Sequence, residues 1–297
     1  MIVSGTTSQS LSAALATEMG RELAPLDVER FPDGELLVGV PHLDADEVVI
    51  VAATTSAAAH IELLQLQDAV REAGADHIET VIPYMGYARQ DKPMAPDRSL
   101  EASPSGYPVS ARAVARALSS STDRVLVVTP HEPGVIDHFD VPAQVIDGAA
   151  ELAMGLPEAL HDPLFVSPDE GARDKAAAVK ERYGVGDVDH FVKTRIDPET
   201  VSQEPNETDP SGRDVVIVDD IIATGGTAAG AVELLHERSA NQVFVACVHA
   251  VLAETARTKL ARAGVADIIA TDTVEGPASR VSVAGAIANH LETNGKG

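Results

Sequence analysis

The stretch Val215–Thr227 reads VVIVDDIIATGGT. Four apolar residues run into two adjacent aspartates, and a short loop of Thr and Gly follows. Burying one unpaired charge is costly, and two neighbouring carboxylates repel each other. A ligand or cation that meets Asp219 and Asp220 removes both costs. Gly225 and Gly226 let the backbone approach a ligand closely and expose its N–H groups, and the hydroxyls of Thr224 and Thr227 add donors. A helix beginning just after the loop adds favourable potential for an anion. The loop therefore suits a phosphate, and the carboxylates suit two neighbouring hydroxyls or a hydrated cation. A sugar phosphate satisfies both. A turn that merely contains glycines, with acids at its rim, explains the loop but not the paired aspartates.

Other residues carry weaker signals. Lys193 and Arg195 alternate along HFVKTRI and so share one face of a strand. Two cations on one face of an otherwise apolar strand call for an anion, or else mark an exposed edge. Asp169 follows LFVSP, where a carboxylate suits Mg²⁺ or a helix N-cap, and the two roles are compatible. Arg89, in YARQD just after TVIPY, can grip phosphate oxygens, and Gln90 can add a hydrogen bond. Taken alone, Arg89 is a solvated charge. His131 lies just past VLVVTP, where a neutral imidazole can ligate a metal or bond a phosphate, although a single His is more often structural. His138 is a lesser candidate. In FPDGE, Asp33 and Glu35 flank Gly34 in a turn able to offer acceptors to an exocyclic amine.

These residues need a scaffold, and 297 residues suffice for one large or two ordinary domains. Hydrophobic residues make up 44%, enough for a full core, while the apolar runs are far short of a membrane span. No basic, apolar leader is read at the N-terminus. The single cysteine, Cys247, has no internal disulfide partner and lies in an apolar run, as a buried inert thiol would. A cytoplasmic location is the resulting expectation. The net charge is −24 and the pI about 4.6, which disfavours sequence-independent binding to nucleic acid or an anionic membrane. The 22 basic residues are 6 Lys and 16 Arg. Acidic, Lys-poor composition resembles that of halophilic proteins, whose self-repulsion is screened by salt.

Strands and helices alternate along the chain. MIVSG, EVVIVAAT, HIETVIPY and RVLVVTP read as strands. The segment SLSAALATEMG reads as a helix capped by Ser10 or Ser12 and stopped by Gly20. Two further helices are AAAHIELLQLQDAVREAGA and VSARAVARALSS. The rhythm repeats in LFVSPD, GARDKAAAVKERYG, DHFVKTRI, DVVIVDD, TAAGAVELLHERSA and QVFVACVHAVL. The polar segment DPETVSQEPNETDPSGRD reads as a surface connection. Near-continuous apolar strands between helices predict an α/β chain with mainly parallel sheets flanked by helices. Two similar domains are expected over 1–144 and 145–279, with a C-terminal helix and tail over 280–297 that packs back on the first domain.

The loop VVIVDDIIATGGT resembles the phosphoribosyl diphosphate loop shared by phosphoribosyltransferases and ribose-phosphate diphosphokinases. FPDGE, YARQD, SPDEGARDKA and KTR resemble the diphosphokinase pattern in order and approximate spacing, over almost the entire chain. The resemblance implies two phosphoribosyltransferase-type domains and synthesis of 5-phosphoribosyl 1-diphosphate from ATP and ribose 5-phosphate with Mg²⁺. It places ATP on Phe31, Asp33, Gly34, Glu35, Arg89, Gln90, Asp91 and His131. It places ribose 5-phosphate on Arg195, Asp219, Asp220, Ala223, Thr224, Gly225, Gly226 and Thr227. It gives the metal to His131 and Asp169, and catalysis to Lys193 and Arg195. It also implies a homo-oligomer, because the FPDGE loop often comes from a neighbouring subunit. Two departures stand out: Thr-Pro-His where Asp-Leu-His is common, and Ala172 where a second Gly is common. A phosphoribosyltransferase shares the Asp-Asp loop but does not require FPDGE, YARQD and KTR together. A non-catalytic regulatory homologue would lack the cations or the loop.

Overall fold

The computed structural model describes residues 1–93, 106–195, 201–206 and 208–294, with the side chains of 193–195, 201–204 and 294 outside that description. The chain divides into two compact units, Met1–Ile146 with Ala284–Gly297, and Asp147–Val283.

The first unit begins with β1 (Ile2–Ser4) and α1 (Gln9–Met19), followed by β2 (Asp27–Arg30) and β3 (Leu36–Gly39). It continues through β4 (Glu47–Val51), α2 (Ala57–Glu72), β5 (His77–Ile82), α3 (Ser110–Leu118), β6 (Arg124–Val128) and β7 (Ala143–Ile146). A five-stranded sheet in the order β1-β4-β5-β6-β7 is parallel throughout. Its strands are buried almost end to end because helices cover them. Ala59, Leu63, Leu66 and Val70 recur at helical spacing on α2 and form its buried face. Ser56 caps that helix, its hydroxyl accepting from Ala59 N at 3.1 Å.

The cap of α1 is Ser8, not Ser10 or Ser12, and its hydroxyl is used elsewhere, accepting from Ala53 N at 2.9 Å. Ser12 lies inside the helix and donates to the Ser8 carbonyl at 2.6 Å. Gly20 ends α1 in the left-handed region, as its position in the sequence predicts.

Strands β2 and β3 form a separate antiparallel hairpin with FPDGE at its tip. It is tied to α2 by Gln65, which accepts from Val38 N at 3.0 Å and donates to Leu36 O at 2.7 Å.

The second unit contains β8 (Leu164–Ser167), α4 (Arg173–Tyr183), β9 (Asp187–Arg195), β10 (Val201–Pro205), β11 (Asp214–Ile221) and α5 (Gly226–Glu237). It ends with β12 (Gln242–His249), α6 (Ala256–Ala263), β13 (Asp267–Thr271) and β14 (Ser279–Val281). The sheet order is β10-β9-β8-β11-β12-β13-β14, and every pairing but β10 with β9 is parallel. The segment read as a surface connection therefore contains a strand, with Val201 opposite Arg195 and Pro205 opposite Phe191. As an antiparallel edge it needs pairing on one side only, so polar residues and a Pro are tolerated there. The core joins Val215, Ile217, Val243 and Val245 to Ala231, Val232 and Leu235 of α5.

The last helix, α7 (Ala284–Asn294), belongs to the first unit and packs on α1. His290 Nε2 lies 2.7 Å from Gln144 Oε1. Among the described residues, no helix is long and apolar enough to cross a membrane.

Candidate active site

In the second unit, the apolar run of β11 carries Asp219 and Asp220 to the carboxyl end of the sheet, where open α/β folds bind ligands. Asp220 is buried and Asp219 half-buried. The Asp220 amide donates to the Asp219 carboxylate at 2.8 Å. Burial, and then the Asp220 carboxyl beside it, push the Asp219 carboxyl up to about 8. Asp169, just beyond the neighbouring parallel strand β8, adds to the shift through its charge. The Asp169 carboxylate also caps the short turn Glu170–Ala172, accepting from Ala172 N at 3.1 Å, so it serves as a helix-entry cap.

The loop turns at Gly225, whose φ is +71°. A Cβ there would lie 3.2 Å from the Ala256 Cβ, so the positive φ favours glycine and the close approach of Ala256 adds to that preference. Gly226 opens α5, so the helix begins inside the loop and not after it. The first-turn N–H groups of a helix have no intrahelical acceptors, and here they stand beside the exposed Thr224, Gly226 and Thr227. Ala223 is half-buried. The arrangement offers N–H and hydroxyl donors to an anion next to acceptors for sugar hydroxyls.

In the first unit, the other candidates cluster at the ends of β5 and β6, which are neighbours in the sheet. Arg89 and Gln90 are exposed and Asp91 half-buried after β5, and His131 is exposed after β6. The two loops meet at Lys92, whose Nζ lies 3.5 Å from Asp91 and 3.8 Å from Glu132. Two strained residues turn the chain at these ends, Tyr87 with φ +64° and Thr129 with φ +39°. For a bulky and a β-branched residue, that region is costly and is held only by its surroundings. Gly86 packs so close to Thr54 O that a Cβ would sit 2.3 Å from it, and the Gly86 amide donates to Thr54 Oγ1 at 2.9 Å.

The hairpin tip is a closed turn. Phe31 N donates to Glu35 O and Gly34 N to Phe31 O, both at 2.9 Å, and Gly34 has φ +94°. Phe31, Asp33, Gly34 and Glu35 are all exposed.

Lys193 and Arg195 lie on β9, and their side chains fall outside the described residues. His131 belongs to the first unit and Asp169 to the second, where Asp169 joins Asp219 and Asp220. Among the described residues, no three His, Cys, Asp or Glu side chains form a ready-made metal cluster. Carboxylates that raise one another's proton affinity do match a hard divalent cation, which favours carboxylate and phosphate oxygens. Lys92 escaped the sequence reading. Its only signal is adjacency to YARQD, since its second partner is 40 positions away (132 − 92).

Residues 1–122 match the N-terminal domain of ribose phosphate pyrophosphokinase, and residues 141–280 match the phosphoribosyl transferase domain. Ribose-phosphate pyrophosphokinase of Halobacterium salinarum is 53% identical over 292 residues, spanning 98% of this chain and 100% of that relative.

The chain belongs to the ribose-phosphate pyrophosphokinase family.

A ribose-phosphate pyrophosphokinase of Methanopyrus kandleri is 42% identical over 298 residues, spanning 98% of this chain and 99% of the relative. The crystal structure of phosphoribosylpyrophosphate synthetase from Mycobacterium smegmatis superposes with a TM-score of 0.80 at 28% identity, covering 99% of this chain and 97% of that one. The chain is accordingly a kinase-type transferase of nucleotide biosynthesis, a ribose-phosphate pyrophosphokinase, with two phosphoribosyltransferase-type domains. Enzymes of this kind generally require a metal ion.

Proposed function

We propose that the carboxylates of Asp219 and Asp220 hold the ring hydroxyls of ribose 5-phosphate, while Ala223, Thr224, Gly225, Gly226 and Thr227 hold its phosphate. The observation that carries this reading is the crowded carboxylate pair directly preceding a glycine turn at a helix start. Paired carboxylates suit ring hydroxyls and an N–H-rich turn suits an anion, and a sugar phosphate supplies both.

ATP is assigned to Arg89, Gln90, Asp91 and His131, with its adenine at Phe31, Asp33, Gly34 and Glu35. The meeting of the Arg89 and His131 loops at Lys92 supports a single polyphosphate surface. The anomeric hydroxyl of the sugar attacks the β-phosphorus of ATP. A bond forms between the sugar oxygen and that phosphorus, the bond from it to the α,β-bridging oxygen breaks, AMP leaves with that oxygen, and the hydroxyl proton is released. Lys193 and Arg195 neutralise charge on the diphosphoryl group in flight, and Arg195 also reaches the sugar phosphate. Little covalent chemistry is asked of the protein, so positioning and electrostatics carry the rate. Asp169 and His131 are the side chains assigned to Mg²⁺, which supplies charge neutralisation on the phosphates when bound. A cytoplasmic homo-oligomer acting on ATP and ribose 5-phosphate, with neither nucleic acid nor membrane as partner, completes the proposal.

Release of AMP from Mg²⁺-ATP and ribose 5-phosphate measures the reaction. With Asp219→Asn and Asp220→Asn taken singly, KM for ribose 5-phosphate rises more than KM for ATP. Selective loss of ATP affinity would reverse the assignment of the two sites.

A further inference from the structure

Three consecutive carbonyls of the phosphate loop are all taken up by the segment that follows β12. Leu252 N donates to Ile222 O and Ala253 N to Ala223 O, each at 2.9 Å, and Lys259 Nζ donates to Thr224 O at 3.3 Å. Ala256 stands against Gly225 in the same segment. The backbone that makes these bonds is itself strained, with φ +42° at Leu252 and +53° at Glu254. Non-glycine residues hold that conformation only when their surroundings impose it.

The chemistry of the loop explains the arrangement. A carbonyl oxygen facing a phosphate repels it, whereas an N–H group attracts it. An anion cradle therefore needs its carbonyls engaged on the far side. Backbone amides hold two of them. The third, at Thr224, belongs to the residue just before the Gly225 turn, and the donor it receives is a side chain of α6. That donor also carries one of the few positive charges available, since the chain has 6 Lys against 46 acidic residues. Asp169, Asp219 and Asp220 stand at the same end of the sheet, so an arriving phosphate meets three carboxylates unless a cation offsets them.

We propose that Lys259 is a positioning residue for the sugar-phosphate loop. It keeps the Thr224 carbonyl turned away from the ligand and lends the loop a positive charge. The inference rests on the assignment of that loop to ribose 5-phosphate. Lys259 is exposed, so its bond contributes little to stability, and this separates a positioning role from a structural one.

The test compares Lys259→Ala and Lys259→Arg with the native enzyme under Mg²⁺-ATP, varying each substrate in turn and recording melting temperature. For Lys259→Ala, KM for ribose 5-phosphate rises by about fivefold, the scale of a partly exposed charge at an anion site. The kcat, KM for ATP and melting temperature stay near native, and Lys259→Arg restores the sugar constant. An unchanged KM for ribose 5-phosphate and for ATP overturns the proposal. So does a joint rise in both constants with a lowered melting temperature, which would mark Lys259 as structural. A selective rise in KM for ATP keeps Lys259 coupled to the loop and overturns instead the loop's assignment to the sugar phosphate.

Discussion

The amide of Asp220 donates to the carboxylate of Asp219 at 2.8 Å, in a site where the two carboxyls also crowd one another. The backbone bond favours the Asp219 anion, but burial and the neighbouring carboxyl outweigh it and hold a proton on the pair. Before ligand arrives, the site is therefore under electrostatic stress.

That stress has a pH signature. The Asp219 carboxyl, ordinarily near 3.8, is raised to about 8 in the folded chain. A raised value means that its contribution to stability is complete below about 3.8 and is lost as pH rises through about 8. Asp219→Asn removes this decline. At about pH 8 the variant melts above the native chain, by about 2–4 °C for each 1 kcal/mol relieved, while near pH 4 the two converge. Parallel melting curves across that range would show that the pair is not stressed.

Neighbouring glycines in the loop separate stability from binding. Gly225→Ala meets both a positive φ and the Ala256 wall, so it costs about 1–2 kcal/mol of stability and weakens ribose 5-phosphate. Gly226→Ala meets nothing within 4 Å and lies in the first turn of α5, so stability holds. Ribose 5-phosphate binding still falls, because the methyl occupies the ligand's approach. Denaturant melts and isothermal titration distinguish the two, and equal stability losses would refute the distinction.

Lys193→Ala tests the catalytic assignment. Removing one preorganised donor lowers kcat on the order of 10²–10³, with smaller changes in KM. Near-normal turnover would remove Lys193 from the mechanism.

Salt tests the charge balance. At a net charge of −24 the chain repels itself, and screening shortens the reach of each charge from about 10 Å at 0.1 M to about 3 Å at 1 M. Melting temperature therefore climbs with KCl from about 0.1 M to about 3 M. Substrate binding is electrostatic too, but it involves few groups. A flat or falling melting temperature would exclude the halophilic reading.

The β11–loop–α5 segment was legible because its signals are local: an apolar run, adjacent acids, glycines, then helical periodicity. The hairpin strand β2 was not, because Asp27–Arg30 is exposed on both faces and shows no alternation. It is held in place by Gln65 on α2, which bonds the partner strand β3. Strand β10 was hidden for a related reason, since SQEP looks like a loop until β9 lies beside it. Ser8 was overlooked as the α1 cap because Ser10 and Ser12 are equally plausible without Ala53 in view. Lys259 lies 35 positions from Thr224 and had no local signal at all.

The final helix carries a consequence for how the chain is made. Because α7 rests on α1, and His290 reaches Gln144 across 146 positions, the first unit is interrupted by the whole of the second. The first unit cannot close until α7 has been synthesised, whereas the second is complete once Val283 has emerged. The unit that comes first along the chain is thus the one that finishes folding last. Truncation after Val283 would injure the unit farthest from the cut in sequence, leaving the core around the Ala223–Thr227 loop intact.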